Sequence, residues 1–98
     1  MPRSVIFGRS AQRWLDAQLD YLAERDPRAA ERLLERLDVA KRQLIDFPNS
    51  GSRGKVAGTR RLIIAPYVLT YHEAGPDLLI IVDIRHGRQR EMPLPKDI

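Results

Sequence analysis

Three apolar runs crowd the second half of this 98-residue chain: Arg61 to Ala65, Tyr67 to Tyr71 and Leu78 to Ile84. The breaks between them are short and hold Pro66, Gly75 and Pro76. Runs of this length, punctuated this closely, read as strands, and tight connections return a strand antiparallel to its predecessor. The spacing therefore predicts a three-stranded meander. In its middle run Tyr67, Leu69 and Tyr71 share one face while Val68, Thr70 and His72 share the other, the period of a sheet covered on one side. Leu78 to Val82 is apolar without alternation, which fits a strand buried on both faces or one that meets a partner on the second.

The first half supplies the cover. Val5-Ile6-Phe7 is a short β-forming run ended by Gly8, and Ser10 stands where it could cap a following helix. Ala11, Trp14, Leu15, Gln18, Leu19 and Leu22 fall at three-and-four spacing and form one stripe. Asp26-Pro27 ends that helix and starts another, because Asp accepts the unpaired amides of a helix start and Pro tolerates the first helical position. The second helix lines up Ala30, Leu33, Leu34, Leu37, Ala40, Leu44 and Ile45 on one side. Its other side pairs Arg28 with Glu31, Arg32 with Glu35 and Asp38 with Arg42. Phe47-Pro48-Asn49-Ser50-Gly51 stops it, and Ser52 to Thr59 reads as an exposed basic loop. The expected fold is α+β: an N-terminal strand, a two-helix hairpin and a three-stranded antiparallel meander, with the helices packed on one face of the sheet. The other face is left open, and Val68, Ile80, Val82 and Ile84 are expected to line it.

A chain of this size hides roughly 60 to 70% of its unfolded surface and supports one core, so residues 1–98 are expected to form a single domain with 92–98 as a tail. No apolar run nears the ~20 residues of a spanning helix and no signal-peptide pattern opens the chain, so no membrane contact and a cytoplasmic location are expected. Cysteine is absent and there are two histidines, so neither disulfide, metal nor cofactor is expected to hold the fold. The net charge of +4 is modest, but it is unevenly placed. From Met1 to Pro48 nine basic side chains accompany eight acidic ones, whereas Arg53 to Arg61 and Arg85 to Arg90 together hold seven basic and no acidic residues. Arginine far outnumbers lysine there, and its planar fork suits carboxylate or phosphate.

The words Leu44...Phe47-Pro48...Gly51, Gly58-x-Arg60-Arg61-Leu62, Pro66-Tyr67-x-x-x-Tyr71 and Ile84-x-His86-Gly87, in this order, resemble the RelE/ParE family of bacterial toxins over nearly the whole chain. The resemblance implies the toxin of a type II toxin-antitoxin pair, held in a hetero-oligomer by a cognate antitoxin whose C-terminal segment wraps it. The family has two activities. RelE-like members cleave messenger RNA on the ribosome, and ParE-like members poison DNA gyrase.

On the nuclease reading His86 would handle protons, while Arg61 with Arg88 would stabilise charge on the scissile phosphate. Against it, nuclease members similar to this chain carry an arginine at the position of Val68, and an aromatic ring is available to them at that of Gly87. The resemblance therefore favours the gyrase poison, with no catalytic residue. The ribosomal endoribonuclease is the alternative, and an inactive antitoxin-binding scaffold is a second one. Residues expected to meet antitoxin or target are Arg53, Lys55, Arg60, Arg61, Val68, Ile84, Arg85, His86, Arg88 and Arg90. The plainer readings stand beside these: His86 as a strand-end histidine bonded to backbone or water, His72 as a surface residue, and Trp14, Tyr67 and Tyr71 as core.

Overall fold

The computed structural model describes residues 3–87. The expected tail at 92–98, with Arg88 and Arg90, lies outside the described residues. Seven elements follow one another: β1 (Ser4–Phe7), α1 (Arg9–Arg25), α2 (Pro27–Asp46), β2 (Ser52–Arg53), β3 (Thr59–Ile64), β4 (Tyr67–Gly75) and β5 (Leu78–His86). The helices cover one face of a five-stranded sheet with the order β1-β5-β4-β3-β2. The meander is β3-β4-β5, antiparallel throughout, and β1 lies parallel against β5. The segment read as a wholly irregular basic loop contains a two-residue strand, β2, which pairs antiparallel with β3 through Ser52 opposite Arg61 and Arg53 opposite Arg60.

The helical hairpin turns on a single residue. The Asp26 N–H donates to Leu22 O at 2.6 Å and closes α1, while its carboxylate accepts from the Ala29 N–H at 3.2 Å and opens α2 with Pro27 in the first turn. Gly8, not Ser10, occupies the N-cap of α1. The reason is the sheet: the Gly8 N–H donates to Ile81 O at 2.8 Å and its carbonyl accepts from the Gln12 N–H at 2.9 Å, so the helix begins as soon as β1 ends.

The core joins Ala11 and Leu15 of α1, Leu33, Leu37, Ala40 and Leu44 of α2, and the helix-facing side chains of the sheet, with Leu69, Leu44, Ala40 and Ile81 at zero exposure. Each such leucine or isoleucine contributes about 1.5–3 kcal/mol by leaving water. Trp14, Leu19, Leu22 and Tyr67 pack against this cluster. Two members of the expected α2 stripe do not: Leu34 and Ile45 remain 49% and 37% exposed, because the buried arc of the helix is narrower than its apolar arc. Of the three expected surface pairs, Asp38 and Arg42 meet at 3.0 Å, and Arg32 turns instead to Asp26 at 3.7 Å. Among the described residues no helix is long and apolar enough to cross a membrane.

One bulge reverses an assignment. Thr70 lies opposite Asp83 and Tyr71 opposite Ile81, so Val82 is an extra residue in β5. Leu79 and Ile81 before the bulge, and Ile84 after it, all face the helices, since their partners Glu73, Tyr71 and Leu69 alternate without interruption at those places. Ile84 is 2% exposed and part of the core, not of the open face. A one-residue insertion has this effect because side chains alternate with a period of two.

Candidate functional site

At the C-terminal end of α2 the chain must turn from helix to sheet, and Tyr71 organises that turn. Its hydroxyl donates to Pro48 O at 2.8 Å and accepts from the Gly51 N–H at 3.1 Å, although the residue is only 1% exposed. Arg60 adds donors to Gly51 O at 2.8 Å and Asn49 O at 3.4 Å, and Arg3 donates to Ile45 O at 2.6 Å. The last turn of α2 carries no basic residue of its own, and Arg3, which precedes β1, meets the carbonyl end of the helix, while Arg60 of β3 holds the turn beyond it. These groups border a cleft of about 240 Å³ lined also by His72, Glu73 and Leu79. Arg60, expected at a partner surface, is thus engaged in holding the helix-to-sheet turn. Tyr71→Phe leaves the Gly51 N–H and Pro48 O unpaired in a buried place and should cost about 1–3 kcal/mol, read as a lower midpoint in thermal unfolding followed by circular dichroism.

The sheet face turned away from the helices carries the second group. Across it run Ile63, Val68 and Arg85 in one row and Ser52, Arg61, Thr70 and Asp83 in the next. Ile63 is 71% exposed, and Ile6 of β1 is 44% exposed on the same side. Arg61 and Arg85 thus flank a polar and aliphatic strip, with Asp83 at the end of the Arg61 row, two residues before Arg85 on β5. Ile63 was not singled out by the sequence, because the run Arg61-Leu62-Ile63-Ile64 is apolar on both parities. Its exposure follows only from the register that places it opposite Val68. The hairpin between β2 and β3 carries Arg53 and Lys55, and Arg53 lies opposite Arg60 in register, on the helix side of the sheet. The hairpin tip is fixed by Thr59, whose N–H and hydroxyl both donate to Val56 O, and it turns at Gly58, whose φ of 85° suits glycine. The Gly54 N–H donates to Thr59 O at 2.9 Å.

His86 belongs elsewhere. It lies opposite Tyr67 in register, with ring centroids 5.9 Å apart and planes at 78°, and Tyr67 in turn meets Trp14 edge-on at 5.8 Å. This aromatic row is on the helix side. Gly87 then donates its N–H to Pro66 O at 2.7 Å and fastens the end of β5 to the turn between β3 and β4. Arg61, paired with Thr70, is on the opposite face. At ~3.3 Å per residue and ~4.8 Å per strand, three residues and two strands separate Arg61 from His86, about 14 Å. The structure therefore does not bring Arg61 and His86 together, and Arg88 lies outside the described residues. His72, expected at the surface, is only partly exposed, and its Nε2 is enclosed without a hydrogen-bond partner among the described residues. No cluster of three His, Asp or Glu side chains that could hold a metal ion occurs among the described residues.

The fold and the sequence match known proteins. A chain from the chromosomal ParDE toxin-antitoxin system of P. aeruginosa superposes with a TM-score of 0.68 over 86% of this chain and 95% of that one, at 24% identity, a likeness of fold. The protein named "Putative toxin Y4kP" in Sinorhizobium fredii is 38% identical over 82 residues, 82% of this chain and 83% of that protein. Toxin RelE2 of Caulobacter vibrioides is 35% identical over 73 residues, 74% of this chain and 82% of its own. The sequence pattern described as the ParE toxin of the type II toxin-antitoxin system parDE matches residues 5–91, from the buried Val5 of β1 to beyond the Gly87 latch. With nearly the whole chain matched in this way, the protein belongs to the ParE toxin family of type II toxin-antitoxin systems.

Proposed function

We propose that this toxin arrests growth by binding DNA gyrase through protein–protein contact, and that its cognate antitoxin holds it inactive in the cytoplasm as a hetero-oligomer. The observation that carries the reading is the separation of Arg61 and His86 on opposite faces of the sheet. Cleavage of RNA needs a proton shuttle and a phosphate-binding cation at one point, within hydrogen-bond reach of the same phosphodiester. Here the histidine is committed to an aromatic row. The face that carries Arg61 presents Val68, with Ile63 beside it, where an arginine would serve phosphate.

That open face is the contact surface in this proposal: Arg61, Val68 and Arg85, with Lys55 on the hairpin beyond it and Arg53 on the helix side of the edge strand β2. Such a mixture of aliphatic centre and arginine rim is the composition of a protein interface. His86 serves packing. Purified toxin freed of antitoxin should inhibit supercoiling by gyrase and trap cleaved DNA. The double variant Arg61→Glu/Arg85→Glu should raise the concentration needed by at least about tenfold while its circular dichroism spectrum is unchanged.

A gyrase left fully active by micromolar toxin removes the reading. The relative named RelE2 makes ribosomal cleavage the second reading, and primer extension on messenger RNA after induction separates the two. Cut transcripts that disappear with His86→Ala would favour the nuclease, and harmless expression without antitoxin would favour an inactive scaffold.

A further inference from the structure

Besides the stripe that builds the core, α2 carries a second one. Leu33, Leu37, Ala40 and Leu44 are buried against the sheet, but Leu34 and Ile45 stay 49% and 37% exposed on the same helix. Between them stand Asp38 and Lys41. The four follow one another at steps of four, three and four, the step of a coiled-coil seam, and so fall on one face along about 16 Å of helix. This face borders β1. Lys41 Nζ lies 4.7 Å from the centre of the Phe7 ring, and Arg3 reaches the carbonyl of Ile45.

We propose that this stripe is where a second copy of the chain docks, α2 against α2 in antiparallel orientation. The order Leu34, Asp38, Lys41, Ile45 reads as its own complement when reversed. In an antiparallel pair Leu34 meets the partner's Ile45 and Asp38 meets the partner's Lys41, which gives apolar layers at both ends and opposite charges in the middle. A parallel pair would set Asp38 against the partner's Asp38 and Lys41 against the partner's Lys41. Like charges at facing seam positions select against that alignment, as polar seam residues commonly set orientation and register. The pattern also names its occupant: an unrelated helix has no reason to supply the reversed order, whereas a second copy always does.

Each of the two charges has one contact within the chain to give up, Lys41 its place over the Phe7 ring and Asp38 its ion pair with Arg42. Asp38 pairs with Arg42 at 3.0 Å, but the two side chains are 66% and 68% exposed, so the pair is weak and readily exchanged. The seam has few layers and buries far less than the ~1,600 Å² of a standard interface, which places the dimer among weak, concentration-dependent ones. The proposal depends on neither gyrase nor antitoxin.

Sedimentation equilibrium of the full-length toxin alone, from about 1 to about 300 µM, should show a monomer–dimer equilibrium with a dissociation constant of tens of micromolar. Asp38→Lys should raise that constant at least about tenfold. The swap Asp38→Lys/Lys41→Asp restores opposite charges across the two-fold and should return it to within about threefold of the wild type. Asp38→Lys alters only an exposed ion pair and Lys41→Asp gives up a single cation–π contact to Phe7, so both variants should keep the wild-type circular dichroism spectrum. A toxin monomeric throughout, a dimer indifferent to Asp38→Lys, or a swap that fails to restore association overturns the proposal. So does a monomeric toxin whose Asp38→Lys variant loses antitoxin binding, which would assign the stripe to the antitoxin instead.

Discussion

Gly51→Ala is expected to leave no folded toxin. A Cβ at this position would stand 2.5 Å from Arg61 O and 2.9 Å from both Arg61 C and the Tyr71 hydroxyl. Two of those atoms are backbone in β3, which is held between β2 and β4 and cannot swing aside as a flexible side chain would. The third is the buried hydroxyl that receives the Gly51 N–H and donates to Pro48 O. Relief therefore requires either opening the β2–β3 pairing or abandoning both hydrogen bonds in a place without water. A cost above about 4 kcal/mol follows, a large part of the stability of a domain this size. Soluble yield, the thermal unfolding transition and growth arrest on induction should all be lost together. An alanine variant melting within a few degrees of the wild type would show that the turn can yield. Gly75→Ala is the control, because its Cβ would meet nothing within 4 Å, and its effect should stay within about 0.5 kcal/mol.

The same joint explains why some of the sequence was legible. Phe47-Pro48...Gly51 and Pro66-Tyr67-x-x-x-Tyr71 are distant words, yet Tyr71 bonds to both Pro48 and Gly51, so they form one physical unit. The meander was readable because β4 is covered on one side and alternates accordingly. β2 was not, since two exposed residues leave no pattern. The parallel partner of β1 was out of reach as well, because Val5 pairs with Leu79 at the far end of the chain and no local signal records it. Leu34 and Ile45 looked like core because periodicity gives the direction of a side chain but not the width of the surface that covers it.

The face expected for Ile84 differs from the observed one for one reason, the bulge at Val82. Ile80 shares the open face with Thr59, through His72, and therefore with Arg61. Uninterrupted alternation from Ile80 would carry Val82, Ile84 and His86 to that same face, although His86 would still lie four residues along the sheet and two strands away from Arg61, about 16 Å. The extra residue sends Ile84 into the core and His86 to Tyr67 instead. Nothing in Leu78 to Val82 betrays it, since all five residues are apolar and either parity could be buried.

Leu69→Ala should come next in severity, and its neighbours make it a test of the register itself. Leu69 has no exposure, lies on the central strand of the sheet, and stands between Leu62 of β3 and Ile84 of β5, both buried. Strands on both sides and helices above leave little freedom for collapse into the space vacated, so the cavity should persist and the cost fall at about 3–5 kcal/mol. For a domain of this length that lowers the unfolding midpoint by roughly 12 to 30 °C. One residue away on β3 from the leucine it faces, Ile63 is 71% exposed on the opposite side, and Ile63→Ala should change stability by no more than about 0.5 kcal/mol. The two variants separate fold from surface: Leu69→Ala should weaken growth arrest and antitoxin capture together by depleting folded protein, whereas Ile63→Ala should keep its melting transition and lose only what the open face contributes to its target. Equal stability losses for the two would mean that the open face is not open, and the surface assigned to the target would have to be abandoned.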